Sequence, residues 1–368
     1  MNNSGVMTER EWRKHSIKME KEAKSSSHCW GAQCMLVQAR RKTLVQDRSF
    51  HAFLLLLSFT VALFMPVLVP AAEAPLAYPE AHTHTDLPTK PVRSVNAISY
   101  AVPFECSYRS QTYTREQLLR GKLLVMNEAH PMPRGVPAPN TLSIATYGKG
   151  MVPVGDLSLK SGRETITALQ ALFSALRGRG IGGLAIWRGT QSPAEQCEAQ
   201  LEQFRAFAKH MPLKEAMVQT RLLTDAPHMG EMQQEYTVEI LLSTNGATAP
   251  DVRALGDTPQ GRALLQTAWR YGFIRPHPNA AGSRAYRFRL IGAAHATAMT
   301  YLDLDFESYL ALLHQKHVLS IKMDGKLRYI ILCKPMKETH VEFMVPENAT
   351  LDASLDNLGY AVVACTLK

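Results

Sequence analysis

Of the side chains able to hold a metal or move a proton, one local grouping stands out. Pro227 to Ile240 reads PHMGEMQQEYTVEI and brings His228, Glu231 and Glu239 into a single turn-and-strand segment, with His295 the one further nearby imidazole. Imidazole nitrogens and carboxylate oxygens are the donors of a hydrolytic zinc site, which takes three protein ligands and keeps one position open to activate water. A second stretch, Arg284 to Gly292, reads RAYRFRLIG and carries Arg284, Arg287 and Arg289. Guanidinium is an obligate cation, so these residues can pair with carboxylates but cannot ligate a metal. Other donors are isolated. His82 and His84 form a lone His-x-His in a Pro/Ala/His/Thr-rich tract, better read as solvated loop. His130 sits in a His-Pro-x-Pro turn, and the six cysteines have no metal-site spacing. Cys106, Cys197, Cys333 and Cys365 are either buried small hydrophobes or form up to two disulfides among themselves.

These residues need elements to position them. Tyr236, Val238 and Ile240 alternate as in a strand, which places Glu239 on the opposite face. Ser161 with Glu164 reads as a capping box that opens a helix to Gly178 or Gly180, with Ile166, Leu169, Leu172, Phe173 and Leu176 as its apolar stripe. A short strand, Ile181 to Trp187, follows. Ser192, Pro193 and Glu195 then start a second helix that runs to about His210. Thr258 and Pro259 open another helix, closed by Gly272. A later helix carries Phe306, Tyr309, Leu310, Leu312 and Leu313. From His317 the pattern changes to strands at Val318 to Met323, Leu327 to Cys333, Val341 to Val345 and Tyr360 to Leu367, the first two joined by an Asp324-Gly325 turn.

The chain has 368 residues, 46% hydrophobic and 20% charged, which supports a sizeable core and excludes global disorder. Its net charge of +9 is concentrated: residues 1–50 hold ten basic and five acidic side chains. No basic, aromatic-interleaved patch accompanies it, so nucleic-acid binding is excluded in favour of a basic flank beside a membrane. Residues 50–72, FHAFLLLLSFTVALFMPVLVPAA, form an uncharged span of bilayer length. Arg40, Arg41, Lys42 and Arg48 before it put the N-terminus in the cytoplasm. Ala72-Glu73-Ala74 offers a signal-peptidase site, and a start at Met35 would give a short n-region. The expected location is the cell membrane with an extracytoplasmic domain, or secretion after signal cleavage.

The ordered motifs resemble the VanY-like zinc D-alanyl-D-alanine carboxypeptidases of bacterial cell walls. Leu123 to Pro133, LLVMNEAHPMP, is similar to the family's first motif, and Gly189, Ser192 and Gln196 match its Ser-Gly-Tyr-Arg-Ser loop. Gly261, Ala268 and Tyr271-Gly272-Phe273 match a later packing block, and Arg289 and Gly292 match the last. The resemblance implies an α+β fold: a Hedgehog/D,D-peptidase-like core with an antiparallel sheet and flanking helices, plus a small C-terminal β appendage. It divides the chain into a basic segment (1–49), the apolar segment (50–72), a linker (73–112), the peptidase-like domain (113–317) and the appendage (318–368).

It also places the family's functional positions on unsuitable residues. The zinc-ligand positions fall on Met232, Glu239 and Arg287, the catalytic Glu falls on Arg284, and the carboxylate-clamping Arg falls on Gln191. Arg188, three residues from Gln191, is read as pointing elsewhere. No site residue of the family is intact in catalysis or metal binding, and no cofactor is expected. Gln191, Ser192 and Gln196 remain as substrate-binding candidates. A salt bridge between Glu239 and Arg287 is expected across the former metal cavity, and the two added arginines would favour an anionic ligand. The reading is a pseudoenzyme whose remnant cleft binds peptidoglycan stem peptide or a protein partner. Two alternatives stand beside it: an active carboxypeptidase with ligands drawn from His228, Glu231, Glu239 and His295, and a non-enzymatic interaction module using the β appendage.

Overall fold

The computed structural model describes residues 97–243, 254–280 and 282–368. The basic segment, the apolar segment at 50–72, the His82/His84 pair and the first part of the linker lie outside the described residues. Among the described residues, no helix is long and apolar enough to cross a membrane.

In chain order, strands β1 (Ala97–Ser99) and β2 (Tyr108–Thr114) lead to the short β3 (Thr141–Ser143) and β4 (Lys160–Gly162). Helix α1 (Arg163–Gly178) buries Ile166, Leu169, Leu172, Phe173 and Leu176, the expected stripe. Its cap differs from expectation. Gly162 is the N-cap without a side-chain bond, because Ser161 Oγ instead donates to the carbonyl of Glu235 at 3.1 Å. Next come β5 (Leu184–Arg188), α2 (Pro193–Ala208) and α3 (Leu213–Leu223). At α2 the Ser192–Glu195 capping box forms in both directions. Strand β6 (Thr237–Leu242) is followed by α4 (Pro259–Thr267), which Thr258 caps by accepting from Gly261 N. Strands β7 (Phe273–Ile274) and β8 (Arg287–Leu290) then precede α5 (Ala293–Leu302) and α6 (Phe306–Lys316).

The sheet that matters for the site is antiparallel, in the order β5-β6-β8-β7. All six residues of β6 are buried, as befits a central strand covered on both faces. Val238 and Phe288 are cross-strand partners and join Ile240 and Leu290 in the core under α1. Because side chains alternate along a strand, Glu239 and its partner Arg287 must share the other face. This is an α+β arrangement of antiparallel sheet with flanking helices.

The C-terminal region corrects two expectations. Strands β9 (Val318–Met323), β10 (Lys326–Pro335), β11 (His340–Pro346), β12 (Ala349–Leu355) and β13 (Tyr360–Leu367) are not a separate appendage. Four of them join β1 in a sheet ordered β1-β9-β10-β13-β12, while β11 pairs with β2. One face, with Ile331, Cys333 and Val362, packs on α5 and α6. The other, with Ile330, Val363 and Cys365, packs on Leu118, Leu124 and Phe343. Burial on both faces is what the unbroken apolar runs of β10 and β13 demand. The segment read as linker (73–112) accordingly contains β1 and the start of β2. Cys106, Cys333 and Cys365 are free thiols, so the four cysteines do not pair among themselves.

Candidate functional site

Glu239 belongs to a ladder of alternating charge, between two arginines. Arg287 Nε donates to Glu239 Oε1 at 3.3 Å, and both side chains are 2% exposed. On the other flank Arg188 Nε reaches Glu239 Oε2 at 3.4 Å. Arg188 comes into position through an irregularity: register between β5 and β6 shifts between Ile186 and Arg188, leaving Trp187 as the extra residue. A bulge re-aims the side chain that follows it, and Arg188 is thereby turned onto the face of Glu239. This corrects the expectation that Arg188 points elsewhere.

The ladder extends through a residue that no motif singled out. Asp225, in the loop after α3, accepts from Arg287 Nη1 at 2.5 Å and from Arg284 Nη2 at 2.8 Å. Arg284 also donates to the carbonyl of Arg221 at 2.9 Å. The order is therefore Arg284, Asp225, Arg287, Glu239, Arg188. Burial alone would disfavour the charged form of Arg287, but Asp225, Glu239 and Glu231 outweigh it and hold the guanidinium above its ordinary value. With two carboxylates on it, Arg287 has no charge to spare for a ligand, which corrects the expectation that both added arginines favour an anion.

A parallel pair backs the ladder. Arg289 Nη1 meets Glu231 Oε1 at 3.2 Å, and its Nη2 donates to the carbonyls of Lys122 and Leu124, each at 2.7 Å. Burial pushes the Glu231 carboxyl up, yet the His277 contact and the Arg289 charge more than offset that and bring it down to about 2. Arg289 also lies 4.9 Å over the Phe306 ring.

Met232 is buried in a single 3₁₀ turn, Glu231–Gln233, and its carbonyl accepts from Gln191 N at 2.7 Å. Gln191 is thus fixed beside Met232 by its backbone. Ser192 is occupied as the α2 cap, and Gln196 is buried, donating from Nε2 to the carbonyl of Asp225 at 2.8 Å. Arg188, Thr190, Gln191 and Ser192 border an open cleft of about 550 Å³, which Lys160 and Glu195 also line. Gln196 lies behind it and helps to hold the Asp225 loop.

The residues at the three positions that the resemblance assigns to zinc ligands do not fit a zinc ion. Met232 offers a soft neutral thioether, Glu239 is committed to two arginines, and Arg287 brings a cation to where a dication would sit. The rearranged set is not assembled either. His295 Nδ1 is bonded to Tyr309 OH at 2.7 Å inside the α5–α6 core, where burial lowers its pKa to about 4. Glu231 is held by Arg289, and His228 lies on the loop before the 3₁₀ turn, its backbone N–H donating to Gln233 Oε1 at 2.7 Å. Among the described residues, no group of three or more His, Cys, Asp or Glu is arranged to hold a metal ion.

No protein-family model matches the chain. A curated D-alanyl-D-alanine carboxypeptidase of Enterococcus faecium is 19% identical over 263 residues, 69% of this chain and 78% of that protein. Among solved structures, the vancomycin-resistance D,D-dipeptidase VanXYg, in complex with a D-Ala-D-Ala phosphinate analog, superposes with a TM-score of 0.57 at 16% identity. The match covers 71% of this chain and 99% of that one. VanYB in complex with D-alanine-D-alanine gives a TM-score of 0.42 at 20% identity, over 52% and 97% of the two chains. The fold is therefore that of the D,D-peptidases. In sequence the chain is similar to a D-alanyl-D-alanine carboxypeptidase, and in fold to a D,D-dipeptidase.

Proposed function

We propose that this VanY-like protein is a cell-envelope homologue of the D,D-carboxypeptidases in which zinc-dependent hydrolysis has been lost and binding retained. One observation carries the reading: Arg287, at the third ligand position, is buried between Asp225 and Glu239 and bonded to both. A hydrolytic site needs a polarising cation with an open position and a carboxylate that shuttles the proton. Here the cation is a guanidinium with no exchangeable position, and Arg284 stands where the carboxylate is needed. The chemistry left to these residues is recognition. The cleft beside Gln191 and Ser192 presents hydroxyls, amide groups and the outer edge of Arg188, whose side chain remains 39% exposed. Such a lining suits the polar backbone of a peptidoglycan stem peptide ending in D-Ala-D-Ala.

Calorimetric titration of the purified protein with a stem pentapeptide tests this, alongside a parallel assay for released D-alanine. The expected result is saturable binding, weakened by Arg188→Ala, with no D-alanine released. Release of D-alanine, or no binding to the wild type, would overturn the proposal.

A further inference from the structure

We propose that a second surface of this protein, remote in sequence from the cleft, docks on an anionic lipid bilayer. Residues 332–335 of β10, Val318 of β9 and the β2–β11 ribbon enclose a groove of about 660 Å³, floored by buried Phe343 and edged by Val102 and Met344. Val102 is 43% and Met344 53% exposed, while Phe104, two residues on from Val102, is wholly exposed. Large apolar side chains clustered at a groove mark an interaction surface, whereas scattered ones do not.

Three observations choose a bilayer as the occupant. The first is charge: Lys334 lies 5.5 Å over the buried Phe343 ring at the groove floor and Lys316 lies 5.4 Å over the exposed Tyr100 ring, so ammonium groups border the apolar surface. Glu105 is paired with Lys322 at 2.8 Å, while Glu342 accepts from the Ser110 hydroxyl and keeps its charge. Aromatic and aliphatic side chains ringed by lysine stems are the composition of interfacial anchors, which bury their apolar part and leave the charge at the headgroups. The second is chain position. Tyr100, Val102 and Phe104 follow immediately on β1, the first described element, and only residues 73–96 separate it from the apolar stretch at 50–72. The third is reach: 24 residues span at most ~80 Å, which lets this edge of the domain touch a bilayer holding the apolar stretch.

The test uses the full chain reconstituted either in phosphatidylcholine vesicles or in equimolar phosphatidylcholine and phosphatidylglycerol, read by backbone hydrogen exchange. Exchange at 100–104 and 340–346 is expected to slow in the anionic vesicles. With roughly fivefold gained per lysine, the docked-to-free ratio should rise about 30-fold over neutral vesicles. Phe104→Ser with Met344→Ser should abolish the protection without lowering the melting temperature, since both residues are exposed. Lys316→Glu with Lys334→Glu should erase the difference between the two lipid compositions. Equal exchange in both vesicles, protection that survives the Phe104/Met344 pair, or concentration-dependent protection in detergent (a second copy in the groove) would each overturn the proposal.

Discussion

Asp225→Asn is the sharpest perturbation of the charge ladder, because it removes one charge and almost no volume. The side chain is 12% exposed and accepts from two arginines, at 2.5 and 2.8 Å. Stranding one half of a buried ion pair costs about 3–5 kcal/mol. Arg287 would keep Glu239 at 3.3 Å, and Arg284 is partly exposed, so a loss of about 2–3 kcal/mol is expected here. At about 2–4 °C per kcal/mol, the midpoint of thermal unfolding should fall by roughly 5–10 °C. The diagnostic measurement is the double-mutant cycle with Arg287→Met, followed by urea unfolding at neutral pH. Removing the stranded cation should return part of the loss, giving a coupling of about 1–3 kcal/mol. If Asp225→Asn stays within about 0.5 kcal/mol of wild type, or the two substitutions simply add, the ladder does not hold the site together.

The remaining predictions concern acid stability and local structure. Glu231 sits at about 2 in place of 4.5, so its contribution is full above pH 4.5 and disappears as pH falls toward 2. The unfolding free energy from urea titrations across that window should drop by about 3 kcal/mol, and Glu231→Gln should flatten this limb. His295, depressed from 6.5 to about 4, binds its proton first in the unfolded chain and adds an earlier decline as pH falls from 6.5 to 4. His295→Gln should remove that earlier leg from the same pH series. Ser192→Ala takes away the α2 cap and should cost about 1 kcal/mol by urea unfolding. Glu239→Asp retracts the carboxylate by a methylene from both arginines. It should destabilise by about 1–2 kcal/mol, whereas Glu239→Gln, which strands Arg287 beside Asp225 alone, should cost more.

The Glu239–Arg287 pairing is legible in the sequence because strand period and residue type point the same way. An acid facing off the core side of one buried strand needs a cation on its neighbour, and RFRL supplies it at the right parity. Asp225 leaves no such trace: it is 62 residues from Arg287, in a loop with no repeat and no cap to announce it. Arg188 is misplaced by parity alone, since the extra residue at Trp187 reverses which face it occupies. At Ser161 a tertiary partner, the Glu235 carbonyl, displaces a local cap that the Ser161 and Glu164 spacing favours. The C-terminal strands β9, β10, β11 and β13 are readable one by one. Their partners β1, β2 and β12 are not, being short or polar, and so a two-faced sheet resembles a loose appendage until its burial is seen.

The central claim is that a guanidinium has taken the place of a zinc ion, and metal content tests it most directly. The full chain, purified without chelators and exchanged into zinc-supplemented then zinc-free buffer, should retain far less than one zinc per chain by elemental analysis. Its thermal midpoint should be unmoved by a chelator. One tightly held zinc per chain, with stability lost on chelation, would contradict the account.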